Sequence, residues 1–403
     1  MFMSRLFAVS LGLLVATRGM AQTSFGPSDA VRQAFVGRAS ITTNRQRLEQ
    51  ARRDAAAAGG YPATRLDLGK DLFNHADIMG SADLLVYQPL DVFGKSRALR
   101  NQGNAALATA LAAFRQGALN VQQEALIAYA NLLSAQRLLA LAKVQRELAE
   151  SVRISTAKRV NARDLPEIQA ARAALEVEGA DGLVADRQAA VEAARLRLAG
   201  ALGSDAVPDE ATLAALDVPA DPTGDPTALR PELLTLRAEE AQAAADERVA
   251  KQGLLPDLEI QAGRSSFNAP PEYGARLQLT ATLWDNGVTR NRIKAAQARR
   301  RAAASALEDR VKAARKDIAA AKVEFAAAER SVANYTKLAE GARTLLERTQ
   351  RGFELGANTL IDVLDARRAL SDAQELTVNA QLRRDLAVEA LLRSEGRFLE
   401  EPK

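Results

Sequence analysis

Asp362 and Asp365 are the residues whose type and spacing first suggest chemistry. They follow a Gly356-Ala357-Asn358 break in an otherwise unbroken helical pattern, which resumes with Thr359 as its cap. Three residues apart on a helix, their carboxylates share one face. Such a pair attracts cations; it also serves as ordinary first-turn acids that stabilise a helix N-terminus. Little else points to chemistry. His75 is the single histidine, placed in a polar loop and read as solvated, and cysteine is absent. Without cysteine there is no disulfide, thiolate nucleophile or lipid attachment at that residue. No phosphate-cradling glycine motif or metal-ligand spacing is found. The expectation is no enzyme, no cofactor and no metal.

The break that precedes the two acids has an earlier copy. Asn161 to Leu175 (NARDLPEIQAARAAL) aligns without a gap with Gly356 to Leu370 (GANTLIDVLDARRAL). Ala162, Leu165, Ala171, Arg172, Ala174 and Leu175 then match Ala357, Leu360, Ala366, Arg367, Ala369 and Leu370. Two copies half a chain apart indicate internal duplication. Each reads as the tight tip of a helical hairpin, at about 161–165 and 356–360. In both, the leucine just after the turn (Leu165, Leu360) can staple it.

Composition agrees with long helices. The 403 residues are 47% hydrophobic, rich in Ala and Leu, and only 4% aromatic. Charge is nearly balanced, with 54 basic and 50 acidic residues for a net +4. That describes solvated helix faces laced with ion pairs, so no nucleic-acid partner is expected. Residues 1–21 read as a secretory signal: Arg5, an apolar run from Leu6 to Ala16, and Gly19-Met20-Ala21 before Gln22. The run is shorter than the ~20 residues that cross a bilayer. No later segment reads as a transmembrane helix either, so any membrane crossing falls to strands.

The first repeat spans 22–202 and the second 231–403, joined by a Pro-, Asp- and Gly-rich linker at 203–230. Each begins with a helix, the first over Ser28 to about Ala58, the second opening on Pro231. Strand pairs follow, at about 62–90 and 256–284. Leu66, Leu68 and Leu72 alternate with charged residues; Leu277, Leu279, Ala281 and Leu283 alternate with Arg276, Gln278, Thr280 and Thr282. Long helices run from about Lys95 to Val160 and after Trp284-Asp-Asn-Gly287. In the second, Val311, Ile318, Phe325, Val332, Ala339, Leu346 and Phe353 repeat every seven residues. Return helices run to about Leu202 and Phe398. The fold class expected is mostly α with a small β part, a duplicated helix-strand-strand-long helix-return helix unit. Four amphipathic strands cannot close a barrel. Three copies supply a 12-stranded β-barrel on a long α-helical barrel.

With these elements in place the chain resembles the TolC-type outer-membrane efflux protein family, over about Ser28 to Phe398. The resemblance is carried by Gly253-Leu-Leu-Pro-Asp-Leu258, Trp284-Asp-Asn-Gly287 and Phe353-Glu-Leu-Gly-Ala-Asn-Thr-Leu-Ile-Asp-Val-Leu-Asp365. It implies a homotrimer in the outer membrane of a Gram-negative-type bacterium, extending into the periplasm and not lipidated. Its implied partners are outer-membrane lipid, a periplasmic adaptor (membrane fusion) protein and an inner-membrane pump that supplies the energy. By the same resemblance Asp362 and Asp365 narrow the pore at its periplasmic mouth. Six carboxylates there would attract cations and raise one another's pKa. Possible gate contacts are Glu167, Phe353 and Asn358. Phe353 has no hydroxyl and Asn358 no charge, which departs from the family's polar links. Adaptor docking falls to Asn161, Ala162, Leu165 and Arg172, with Gly356, Ala357, Leu360 and Arg367. The alternative is a periplasmic coiled-coil scaffold without a pore. It leaves the two strand pairs unexplained.

Overall fold

Long proline-free runs become long helices because nothing in them interrupts the backbone ladder. The computed structural model describes residues 25–58, 60–70, 82–204, 213–217, 224–265, 272–282 and 284–402. In chain order the elements are α1 (Pro27–Gly37), α2 (Ala39–Ala58), β1 (Arg65–Lys70), β2 (Ala82–Leu90), α3 (Lys95–Asn161) and α4 (Glu167–Leu202). The second half gives α5 (Pro231–Gln252), β3 (Asp257–Ser265), β4 (Glu272–Thr280), α6 (Val288–Glu354) and α7 (Leu360–Glu395). The fold class is the one expected. The signal segment, His75 and half of the linker (205–212 and 218–223) lie outside the described residues.

α3 and α6 each have 67 residues, about 100 Å of helix. α3 packs along α2, α4, α5 and α7, whereas α6 makes its main contacts with α5 and α7. The principal core gathers around Tyr129, Leu126, Leu132 and Leu198, with Val31 and Ile41 from the first two helices. Tyr129 Oη lies 2.9 Å from the Phe25 carbonyl and 2.7 Å from that of Ala214. One buried hydroxyl thus ties the chain start and the linker to α3. A window of α3 is long and apolar enough to cross a membrane by composition, contrary to expectation. Of that window 44% is buried within the fold, and α3 contributes Leu126, Tyr129 and Leu132 to this core.

The first helix is not continuous. Arg38 adopts an extended backbone between α1 and α2, and its guanidinium reaches the Gly200 carbonyl and Glu124. The end of α4 presses here: a Cβ on Gly37 would sit 2.3 Å from the Leu202 carbonyl oxygen. A straight helix would collide with α4.

The duplication has a constant offset in three dimensions. α3 and α6 begin at 95 and 288, α4 and α7 at 167 and 360, 193 residues apart each time. The tip residue in left-handed conformation is Arg163 in one copy and Gly356 in the other, again 193 apart. The sequence alignment of Ala162 with Ala357 is therefore displaced by two residues. It followed side-chain identities, but the reversal is set by where the backbone turns left-handed. Gln169 and Arg172 become the counterparts of Asp362 and Asp365.

The four strands form one antiparallel sheet in the order β1-β2-β3-β4, so β2 and β3 join the two repeats. Gly263, with φ 153°, faces Leu85, and an added Cβ would lie 1.9 Å from the Leu84 carbonyl oxygen. β4 starts before the strict alternation does and ends at Thr280; Gly274 and Ala275 hide its first half from a periodicity reading. Leu283 lies outside the described residues.

Candidate functional site: the helical tips and the two-faced sheet

Strand register separates the sheet into two chemically opposed faces. Leu66, Leu68, Leu84, Val86, Ile260, Leu277 and Leu279 share one face by pairing and alternation, and all are exposed. Leu68 is 74% exposed and Leu277 63%. The opposite face carries a polar chain: Arg276 Nε donates to Gln261 Oε1 at 2.7 Å, and Gln261 Nε2 donates to Gln278 Oε1 at 2.7 Å. Arg65 joins it through Glu259 at 3.2 Å. A mainly apolar face, interrupted by Gln88 and Arg264, and a hydrogen-bonded polar face opposite it suit lipid on one side and water on the other.

At the far end of the long helices both tips use the same C-terminal geometry. Around Arg163, the Arg163 N–H reaches the Val160 carbonyl and the Asp164 N–H that of Arg159. In the second tip the N–H groups of Ala357 and Asn358 both reach the Gly352 carbonyl, at 2.8 and 3.2 Å. Asn358 Nδ2 then donates to the Thr349 carbonyl at 3.2 Å. It lies so close over Gly352 that a Cβ there would be 2.4 Å from it. Asn358, expected as a gate contact, is thus a clamp inside its own hairpin, because it can satisfy a carbonyl that the helix end leaves free.

Thr359 opens α7 with a capping box. Its N–H and hydroxyl both donate to Asp362 Oδ2, at 2.8 and 2.7 Å, while the Asp362 N–H donates to Thr359 Oγ1 at 3.3 Å. The Thr359 hydroxyl and N–H hold the Asp362 carboxyl below the usual aspartate range. Asp365 lies one turn on, exposed, with Arg368 3.9 Å away. The two acids share a face and differ in engagement. Behind them Leu360, Val363, Leu364, Ala366 and Leu370 close a core with Val152, Leu346 and Phe353, against which Leu165 from the first tip also packs.

Phe353, the other expected gate residue of this hairpin, is buried in that core. Arg159 of α3 covers it, with its guanidinium carbon 4.7 Å from the ring centroid and Nη1 2.9 Å from the Phe353 carbonyl oxygen. Glu167 is exposed in the first turn of α4, directly after the N-cap Pro166. Asn161, Ala162, Arg172, Gly356 and Ala357 are exposed at the tips, whereas Leu360 is buried. Arg367 is held inward by Glu176, which Arg368 also reaches at 3.2 Å; burial pulls the Arg367 pKa down. Sequence reading missed Arg159 and Glu176. Their partners lie 194 and 191 residues away, with no local signal. The Thr359-x-x-Asp362 box was legible. Among the described residues no group of His, Cys, Asp and Glu could hold a metal ion.

Residues 227–397 match the family model described as outer membrane efflux protein. The outer membrane protein TolC of Vibrio cholerae is 29% identical over 181 residues, 42% of this chain and 41% of the relative. The pyoverdine export outer membrane protein OpmQ of Pseudomonas putida is 29% identical over 176 residues, 42% of this chain and 37% of the relative. The chain therefore spans about two fifths of the length of the curated relatives it matches. Among solved structures, CusC superposes with a TM-score of 0.78 at 16% identity, covering 93% of each chain. The open MtrE outer membrane channel of Neisseria gonorrhoeae gives 0.74 at 19%, covering 92% of this chain and 89% of that one. The second half of the chain thus matches outer membrane efflux proteins in sequence, and the fold of the whole is that of the solved outer-membrane channels.

Proposed function

We propose that three copies form an efflux duct, with the sheets closing a 12-stranded barrel and the helices a periplasmic tunnel. The observation that carries this reading is the sheet: an exposed apolar face, a bonded polar face, and outer edges on β1 and β4 without a strand partner among the described residues. In lipid those edges must pair, and the β4 edge of one copy meeting the β1 edge of the next does so. The helical layer supports the same assembly. α4 exposes Ile168, Leu175 and Leu196, and α6 exposes Leu338 and Leu345, both spaced by sevens and ready to seat on another copy. A scaffold without a pore leaves the sheet face uncovered.

In this assembly Asp362 and Asp365 ring the periplasmic mouth, and the exposed tip residues receive a periplasmic adaptor that links the duct to an inner-membrane pump. Phe353 and Asn358 stiffen each hairpin from within, which leaves Glu167 as the exposed member of the expected gate set. The test is assembly in the membrane. Material from washed outer membranes should elute in detergent as a trimer by light scattering and conduct in planar bilayers. A monodisperse monomer, or a soluble periplasmic pool, would sink the reading.

A further inference from the structure

Trp284 is the only tryptophan of the chain and is 83% exposed, at the turn that takes β4 into α6. Tyr61, 66% exposed, stands just before β1, and Val92 and Leu254 are exposed at the remaining strand-to-helix junctions. These side chains lie at the helical end of the sheet. Directly after this collar the charge becomes one-sided. Residues 92–123 hold no Asp or Glu, and neither do residues 286–307. Lys95, Arg97 and Arg100 open the first of these stretches, and Arg290, Arg292 and Lys294 open the second, all exposed. The chain elsewhere balances its charges closely, so acid-free first turns at the same place in both repeats are a local feature.

An amphipathic ring sits well where acyl chains give way to headgroups, and basic side chains one turn further on meet the phosphates. We propose that this collar and the basic turns beneath it bind anionic phospholipid of the periplasmic leaflet, fixing the depth of the barrel. The proposal rests on the membrane-barrel reading above. Lys95 also reaches the sheet, 3.3 Å from Asp257. Three chains would place 18 such cations around one circumference, six from each.

The natural single tryptophan makes the test direct. The full-length trimer is reconstituted in phosphatidylcholine vesicles with and without phosphatidylglycerol, using lipids brominated at shallow or deep acyl positions. Trp284 fluorescence should be quenched most by shallow bromines. Spin-labelled phosphatidylglycerol should be retained about fivefold over spin-labelled phosphatidylcholine, a preference lost in Arg290→Gln/Arg292→Gln/Lys294→Gln. Leu277→Trp in a Trp284→Phe background serves as the barrel control and should be quenched by deep bromines. If position 277 is quenched while Trp284 responds only to aqueous iodide, the collar is wrong and the barrel stands. If neither is quenched, both fall. Equal retention of the two lipids, or a triple variant that changes ion selectivity with lipid retention unchanged, would assign the cations to the lumen and overturn the proposal.

Discussion

Arg159 of α3 and Phe353 of α6 lock the two hairpins together: the guanidinium lies over the ring and donates to the phenylalanine carbonyl. The contact joins the ends of two helices that the chain separates by 194 residues. It covers the core beneath Asp362 and Asp365 and couples the stability of one tip to the other.

Replacing Arg159 by Met keeps the aliphatic stem and removes both contacts. The loss should be about 1–2 kcal/mol of local stability. Hydrogen exchange of amides 352–358 should accelerate by about 5- to 30-fold. Unchanged protection would show that the lock holds nothing.

The double change Asp362→Asn and Asp365→Asn should reduce cation selectivity and weaken block by trivalent cations in planar bilayers, with trimer formation intact. The capping box gives Asp362 a second, separable effect. Its folded pKa lies below the ordinary aspartate value, so the stability it lends is present above that value and lost as pH falls through the folded one. Tip exchange should therefore quicken only in acid, and Asp362→Asn should remove that dependence. Unaltered selectivity and block in the double variant would defeat the ring at the mouth.

Leu279→Arg, placing a charge on the apolar sheet face, should cost about 2–4 kcal/mol near mid-membrane. Cysteines at 276 and 278 should react with aqueous reagents from the lumen side, and cysteines at 277 and 279 should not. The reverse pattern would turn the sheet inside out.

Gly263→Ala should prevent the β2–β3 register, because the new methyl carbon would meet the Leu84 carbonyl oxygen at 1.9 Å on a backbone that L residues rarely adopt. Since that pairing joins the two repeats, the variant should fail to form heat-resistant trimers. Recovery of wild-type trimer on gels would show that the strands can slip around the methyl group.

Asp385 and Glu389 are buried on α7, and burial raises both carboxyl pKa values. For such groups the folded state favours the protonated form, so stability is greatest below the ordinary carboxylate pKa and falls as pH rises through the raised one. Asp385→Asn with Glu389→Gln should flatten that decline in urea titrations carried out at pH values rising from the ordinary carboxylate range. An unchanged slope would mean that both acids are ionised and fully compensated in the fold.

Most of the architecture was legible in the chain because it rests on local periodicity. Seven-residue repeats without proline predict the long helices within a few residues of Lys95–Asn161 and Val288–Glu354, and two-residue alternation exposes the strand around Leu277. Glycines and capping residues marked the tips, and the carboxylates of Asp362 and Asp365 fell on one helix face as their spacing required. What tertiary structure alone decided depends on atoms far apart in sequence. The break at Arg38 exists because the end of α4 arrives there, and the pairing of β2 with β3 needs the close approach at Gly263. The Arg159–Phe353 and Glu176–Arg367 contacts need both hairpins in place. The two-residue error in aligning the tips has the same origin. Side-chain identities at a turn drift, whereas the backbone reversal at Arg163 and Gly356 is set by where two packed helices must end.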